Sequence, residues 1–142
     1  MVGRSDRRGE YPQLSHGTMR NAYEAFNRAD IPAVLEAFDP QIEWSEPGGG
    51  RAPQGTYRGA ESVANDVFAR VPEHFDEFEA QPDAFIDAGE HIVVVGTFRA
   101  RSKADHQMRA AYAHVWRMRD GKAVSFHNHV EAAPWADGWS AS

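Results

Sequence analysis

The segment from Ile42 to Gly48 contains the acid that is best placed for chemistry in this chain. Side chains alternate between the two faces of a strand, so Ile42, Trp44 and Glu46 share one face. Glu46 therefore ends an otherwise apolar face, directly before a Pro-Gly turn. A desolvated carboxylate has a raised pKa, which suits a general base that works near neutral pH. The alternative is that Glu46 lies at the rim of the turn and is solvated.

His114 is the second candidate, on a strand predicted from Met108 to Arg119. One set of alternate residues combines apolar and aromatic side chains: Met108, Ala110, Tyr112, His114, Trp116 and Met118. The other set contains three arginines, which we expect to face water or a partner, so His114 is predicted to face inward. Because Tyr112 and Trp116 also need hydrogen-bond partners when buried, this face favours a pocket. The alternative is a hydrogen-bonded histidine in an ordinary core.

The last predicted strand, Lys122 to Glu131, follows an Asp120-Gly121 hairpin turn and has two candidate registers. In the first register, a two-residue turn places His114 opposite His127. The inward side chains are then three that are able to ligate a metal: His127, His129 and Glu131.

In the second register, a type I turn with a glycine bulge places His114 opposite Phe126. The inward side chains are then Val124, Phe126, Asn128 and Val130. We favour this register because it buries three apolar side chains and leaves two histidines and a glutamate outside. It makes Asn128 the polar residue of the pocket and predicts no metal site.

Two further residues are weighed as site residues. Arg99 lies on a strand predicted from His91 to Arg101 and alternates to the face opposite Phe98. We expect it to be solvated. The alternative is an inward Arg99, which would bind an anion or a carboxylate. Tyr57 comes near the end of a glycine- and proline-rich loop predicted over residues 47–59, and it is expected either to line the pocket mouth or to anchor this loop. No Gly-Lys-Ser/Thr follows the glycines, so this is not a phosphate-binding loop.

The first half of the chain predicts three helices and one short strand. These elements are a helix that begins near Ser15 to Thr18, a helix from Asp30 to Pro40, a strand from Gln41 to Ser45 and a helix from Ala60 to Val71. Asp30 is the N-cap of the second helix, and Pro32 lies in its first turn, where a missing N–H costs nothing. Pro72 is expected to end the third helix.

The second half predicts strands and a short tail. The strands are Phe75 to Ile86, His91 to Arg101, Met108 to Arg119 and Lys122 to Glu131. The tail from Ala132 carries Trp135 and Trp139, which are expected to cover a sheet edge or a neighbouring subunit. Helices followed by antiparallel strands are typical of an α+β domain in which the helices pack on one face of a curved sheet.

Composition narrows the class of protein. The chain has 142 residues, of which 42% are hydrophobic, and a net charge of -6. This predicts one domain over residues 15–142, preceded by a mobile, polar arm over residues 1–14. The acidic balance argues against a nucleic-acid surface, and no apolar run reaches membrane-spanning length. With no cysteine, disulfide and thiolate chemistry are excluded, and we expect a cytoplasmic protein.

Five segments of the chain together resemble a known family. They are Tyr23 to Asp30, Leu35 to Phe38, Glu43 to Pro47, Tyr57 to Gly59 and His114 to Lys122. In order and spacing they resemble the SnoaL-like branch of the nuclear-transport-factor-2 (NTF2-like) superfamily, which includes ketosteroid isomerases, polyketide cyclases and scytalone dehydratase. The resemblance covers residues 17–133. It implies a cone of three helices against a curved, mainly antiparallel sheet that encloses a pocket, and homodimers through the outer sheet face.

The resemblance to ketosteroid isomerase also implies roles for single residues. Glu46, directly before Pro47, takes the position of the general base, and His114 takes that of the oxyanion-hole acid. The oxyanion-hole tyrosine falls on Ala22, with Tyr23 beside it pointing elsewhere. With these differences, steroid isomerisation is not expected, whereas general enolisation chemistry is.

We therefore expect an enzyme of the isomerase, cyclase or dehydratase type that needs no cofactor. Glu46 removes a proton next to a carbonyl or activates a water, and neutral His114 donates to the developing enolate oxygen, aided by Tyr112 or Asn128. The residues expected to bind the substrate are Trp44, Tyr57, Tyr112, Trp116, Phe126 and Asn128. The alternative function is a non-catalytic module for ligand binding or dimerisation.

Overall fold

A computed structural model describes residues 16–141 of the chain. The predicted N-terminal arm lies outside the described residues. Four helices and a 3-10 turn lie before residue 75: α1 over residues 16–27, α2 Ile31–Leu35, α3 Ala60–Asp66, the 3-10 turn Phe68–Arg70 and α4 Val71–His74. Asp30 caps α2 by accepting a hydrogen bond from the backbone N–H of Ala33, and Pro32 lies in the first turn, as the sequence predicts.

Six strands form one open, curved sheet. They are β1 Phe38–Pro47, β2 Gln54–Arg58, β3 Phe75–Ala88, β4 His91–Ser102, β5 Gln107–Arg119 and β6 Lys122–Val130. Their order across the sheet is β2-β1-β6-β5-β4-β3, and only β1 and β6 run parallel. The predicted α+β architecture is confirmed. Within residues 16–141 no helix combines the length and the apolar character needed to cross a membrane.

The core lies between the helices and the inner face of this sheet. Along β5, every second residue from Met108 to Met118 is buried, and β4 alternates in the same way from Ile92 to Ser102. The core combines many aromatic rings with aliphatic side chains such as Ile42, Ile92 and Val94. Trp44 and Phe126 stack with ring centroids 3.8 Å apart, and Trp116 lies 4.5 Å from Phe126.

Prolines produce two differences from the predicted elements. Pro72 lies in the first turn of α4 instead of ending α3, because the first turn of a helix does not need its N–H. Pro40 lies inside β1 instead of ending α2, at a point where the pairing of β1 with β6 shifts between Phe38 and Glu43. A missing N–H is tolerated there because the ladder is already interrupted.

Two elements were absent from the sequence prediction. Strand β2 lies inside the predicted loop over residues 47–59, and a fifth helix, α5 Ala132–Ser140, forms from the predicted tail. Trp135 and Trp139 of α5 are buried within the same chain, where Trp135 packs on Phe98. The absence of a side chain at Gly138 lets α5 approach β5 closely, since a Cβ there would lie 2.4 Å from the Met108 sulfur.

The β5–β6 hairpin matches neither predicted register throughout. Asp120 and Gly121 both have positive φ, and Met118 lies opposite Ala123, so the turn has two residues. A bulge then follows, because the pairing shifts by one residue between Arg117 and Met118. Beyond it Trp116 lies opposite Phe126.

The pairing of His114 is therefore wrong in both predictions, because it lies opposite Asn128. The bulge nevertheless restores the inward orientation of Phe126 and Asn128 that we favoured, and both are buried. Val124, which was predicted to face inward, is only half-buried, and Ala123 fills the core in its place.

Candidate active site

Three polar side chains form a row across the inner face of the sheet. Trp44 and Ser45 of β1 pair with Phe126 and His127 of β6, so the next residue, Glu46, lies beside Asn128. Asn128 in turn lies opposite His114 of β5. Neighbouring strands are about 4.8 Å apart, so the three side chains are adjacent in space.

Glu46 is a half-buried carboxyl held by two donors. The Trp44 indole N–H donates to its Oε2 at 2.6 Å, and the Asn128 amide Nδ2 donates to its Oε1 at 3.0 Å. Burial raises the pKa of Glu46 from 4.5 to about 7, and the hydrogen bonds from Asn128 and Trp44 oppose this rise. The two donors also fix the direction of the carboxyl. Glu46 is thus a pre-oriented group that titrates near neutral pH.

His114 is buried and neutral. Its Nδ1 lies 2.6 Å from the hydroxyl of Tyr23, and that hydroxyl accepts a hydrogen bond from the Trp116 indole N–H at 3.0 Å. Burial lowers the pKa of His114 from 6.5 to about 3, although Asn128 favours the charged form. At neutral pH His114 therefore forms hydrogen bonds without giving up or taking a proton. Its Nε2 has no hydrogen-bond partner among residues 16–141.

Tyr112 covers one face of the His114 ring. The two rings are nearly parallel, at 10°, with centroids 3.9 Å apart. Gly96 leaves room for the Tyr112 hydroxyl, because a Cβ at Gly96 would lie 2.6 Å from it. Burial raises the pKa of Tyr112, so this phenol stays protonated, and its hydroxyl lacks a partner within the described part of the chain.

An apolar cavity of about 60 Å³ lies beside this row. Among the residues that line it are Tyr23, Trp44, His114, Trp116 and Phe126. Glu46 accepts a hydrogen bond from Trp44, which lines the cavity, but Glu46 itself does not line it. The acid and the histidine therefore do not face each other across an open space, and Asn128 lies between them in the sheet.

Tyr23 is the residue of this site that the sequence analysis misplaced. The comparison with ketosteroid isomerase implied that Tyr23 points elsewhere, and this is wrong, because its hydroxyl lies between His114 and Trp116. Ala22 and Tyr23 are both buried, so the apolar face of α1 is wide enough to include both. The helical spacing of Met19, Tyr23 and Phe26 was the signal that places Tyr23 on the core side.

Other candidate residues lie away from the row. Tyr57 accepts a hydrogen bond from the backbone N–H of Gln54, so it anchors the start of β2 and does not line the cavity. Arg99 is exposed on the outer face, where it donates to Gln81 at 2.7 Å. This is the solvated position that the sequence predicts.

The outer face of β6 carries the two histidines that were weighed as metal ligands. His127 and His129 are exposed, and their rings stack with centroids 5.7 Å apart. Within residues 16–141 no group of three or more side chains is arranged to hold a metal ion.

Comparisons with known proteins agree with the fold. The SnoaL-like domain family matches residues 19–126. An NTF2-like protein of unknown function from Burkholderia pseudomallei is 35% identical, with a TM-score of 0.82 over 89% of this chain and 98% of that chain. An NTF2-like protein from Burkholderia thailandensis is 30% identical, with a TM-score of 0.80 over 87% of this chain and 95% of that one.

A third solved structure contains a small organic ligand. It is TerC co-crystallized with polyporic acid, which is 24% identical and has a TM-score of 0.78 over 91% of this chain and 99% of that chain. At this identity the likeness shows the fold alone. A search of curated proteins returned no match.

Proposed function

The chain belongs to the SnoaL-like family, and from that premise we propose that it is a cofactor-independent enzyme that uses general acid–base chemistry on a small, apolar, carbonyl-containing substrate. The reaction is of the isomerase, cyclase or dehydratase type. Glu46 is the catalytic base in this proposal. The ligand of TerC supports a small organic substrate, since the two folds are alike.

The observation that carries the proposal is the state of Glu46. A carboxyl with a pKa of about 7 is half ionised at neutral pH, so it is able to take a proton and to return it in the same turnover. Trp44 and Asn128 hold it in one orientation, which reduces the reorganisation needed in the reaction. A carboxyl with only a structural role needs no such balance between burial and donors.

The neighbouring groups complete the proposed site. Trp44, Trp116 and Phe126 bind the apolar body of the substrate, because their rings line the cavity. The hydroxyl of Tyr112 has no partner among the described residues, so it is free to donate to a substrate oxygen. His114 acts as a neutral hydrogen-bond donor only, since its pKa of about 3 excludes it as a general acid at neutral pH.

The experiment compares Glu46→Gln with Glu43→Gln. Both residues lie on β1, but Glu43 is exposed on the outer face, where it pairs with Arg58. A panel of cyclic and aromatic ketones is incubated in D2O, and exchange of the protons next to the carbonyl is followed by NMR. We expect Glu46→Gln to slow exchange by roughly 100-fold or more, and Glu43→Gln to match the wild type. Equal rates in the wild type and Glu46→Gln would contradict the assignment of Glu46.

The cavity volume favours a second function, a non-catalytic ligand-binding module. A cavity of about 60 Å³ is much smaller than the ~300 Å³ of ordinary ligand sites. In addition, both oxygens of Glu46 already accept hydrogen bonds from the protein. If this function is correct, a ligand that binds to the wild type is recovered unchanged, and Glu46→Gln alters its affinity without altering any rate.

A homodimer through the outer sheet face, in the cytoplasm, is part of the same proposal. Val93, Val95, Ala113 and Val115 are only half-buried in the middle of this face, so a second sheet would cover apolar surface there. A sequence without cysteine needs no oxidising compartment. Sedimentation of the wild type and of Val95→Lys tests the dimer, because a charge in the centre of the face would leave only monomers.

A further inference from the structure

The row of Glu46, Asn128 and His114 continues to α1, where the Tyr23 hydroxyl forms a hydrogen bond with His114. We propose that Tyr23 is a positioning residue: it fixes which nitrogen of His114 carries the proton and, through Asn128, the direction in which the amide donates to Glu46. The role rests on the proposed function of Glu46 as the base. The tautomer of His114 and the pKa of Glu46 are nevertheless measurable without any enzymatic turnover.

The Tyr23 hydroxyl is placed to accept one hydrogen bond and to donate another. The Trp116 indole N–H can only donate, so the Tyr23 oxygen accepts from it at 3.0 Å. The hydroxyl proton is then available to His114 Nδ1, which lies 2.6 Å away. Nδ1 is therefore an acceptor, and the neutral ring carries its proton on Nε2. The ring cannot turn over easily, because Tyr112 stacks on it at 3.9 Å.

Asn128 lies directly opposite His114. His114 Nε2 and Asn128 Oδ1 are both buried, and neither has a hydrogen-bond partner among residues 16–141. One is a donor and the other an acceptor, so they are complementary. With Oδ1 on the side of His114, the other end of the amide, Nδ2, donates to Glu46 at 3.0 Å.

The other neutral tautomer of His114, with the proton on Nδ1, would reverse the orientation of the Asn128 amide. An Nε2 without a proton would attract the Nδ2 end of Asn128, and the amide oxygen would then face the Glu46 carboxylate. Two acceptors would be in contact, which is unfavourable for the ionised form of Glu46. In the proposed arrangement every donor in the row points the same way, from Trp116 through Tyr23, His114 and Asn128 to Glu46. Tyr23 therefore influences an acid that it does not touch.

Two Tyr→Phe variants provide a matched test. Tyr23→Phe removes the hydroxyl that bonds to His114, whereas Tyr112→Phe removes a hydroxyl that has no partner in the described part of the chain. Both side chains are buried, and both rings pack against His114. The tautomer of His114 is read from the ¹⁵N shifts of its ring, and the pKa of Glu46 from ¹³C-carboxyl NMR against pH. His114→Gln and Glu46→Gln assign the two signals.

We expect His114 to be the Nε2–H form in the wild type and in Tyr112→Phe, with the same pKa for Glu46 in both. In Tyr23→Phe, the Nδ1–H form becomes populated and the pKa of Glu46 rises by roughly one unit, because its carboxylate loses the Asn128 donor. The other titratable groups near His114 are Tyr112 and, on the outer face, His129, and both are retained in Tyr23→Phe.

Several outcomes would overturn the inference. One is a wild-type spectrum with the proton on Nδ1, which decides the matter even if Tyr23→Phe does not fold. Another is Tyr23→Phe with an unchanged tautomer and an unchanged Glu46 pKa. A third is an equal change in Tyr112→Phe, which would show a general effect of repacking. None of these readings depends on activity, so failure of the proposed function would be seen separately, as unchanged exchange in Glu46→Gln.

Discussion

Replacing Glu46 with glutamine should change how the stability of the protein depends on pH. The unfolded chain releases the Glu46 proton near pH 4.5, whereas the folded protein holds it to about pH 7. Between these values the folded state binds one more proton than the unfolded state, so the free energy of unfolding falls as pH rises. The contribution is fully present below pH 4.5 and is lost above pH 7.

The magnitude follows from the two pKa values. Each pKa unit corresponds to about 1.36 kcal/mol, so the difference between 4.5 and about 7 corresponds to about 3 kcal/mol. Because Glu46 is only half-buried, this is an upper value. Glutamine does not ionise. The stability of Glu46→Gln relative to the wild type should therefore increase by up to this amount between pH 4 and pH 8.

His114 contributes with the opposite sign over a lower range. Its pKa is 6.5 in the unfolded chain and about 3 in the folded protein, so the folded state gains stability as pH rises through this interval. In the wild type the two effects oppose each other between about pH 4.5 and 6.5. The difference between Glu46→Gln and the wild type removes the His114 contribution, which is common to both proteins.

Urea unfolding at half-unit steps from pH 4 to pH 8 is the assay. Glu43→Gln is the control, since it removes an exposed ion pair with Arg58, for which ~1 kcal/mol or less is expected at any pH. A difference curve for Glu46→Gln that stays flat across the range would refute the argument. So would a curve that falls with pH, because it would mean that Glu46 is stabilised in its charged form.

Two further predictions concern the neighbours of this site. Trp44→Phe keeps an aromatic ring but removes the N–H that donates to Glu46, so the pKa of Glu46 should rise above 7. The rising limb of any kcat/KM profile should then move to higher pH. An unmoved limb would show that the Trp44 hydrogen bond does not set the pKa of Glu46. Gly96→Ala should lower the free energy of unfolding by about 1–3 kcal/mol in urea titrations, because a Cβ there would lie 2.2 Å from the Gln81 carbonyl oxygen and 2.6 Å from the Tyr112 hydroxyl. Gly17→Ala, where a Cβ meets nothing within 4 Å, is its control.

The parts of the fold that could be predicted are those in which one local signal dominates. Alternation along β5 places His114 inward, and the Pro-Gly turn after β1 marks where Glu46 ends its face. Strand β2 and helix α5 could not be predicted in this way. β2 is exposed and has almost no apolar alternation, and α5 is fixed mainly by burying Trp135 and Trp139 against the rest of the chain.

The β5–β6 hairpin shows why the pairing partners of site residues are harder to predict than the face of the sheet on which they lie. The Asp120-Gly121 turn and the hydrophobic pattern of β6 favour different registers, and the chain satisfies both by a bulge at Val124. The bulge decides that Asn128 lies opposite His114. The sequence thus predicts that Glu46, His114 and Asn128 share the inner face, but their order in the sheet depends on a one-residue insertion in the pairing.

The pKa values of the residues on the inner face also limit which reactions the proposed function includes. Burial keeps Tyr23 and Tyr112 protonated and His114 neutral, which leaves Glu46 as the one group of the described inner face whose pKa is raised into the neutral range. A reaction that needs a base and a separate acid at the same moment lacks the second partner here. A reaction in which one carboxyl removes a proton from carbon and returns it to a neighbouring position needs only Glu46 and fixed donors for the oxygen. Within the proposed range of activities, this arrangement favours isomerisation over dehydration.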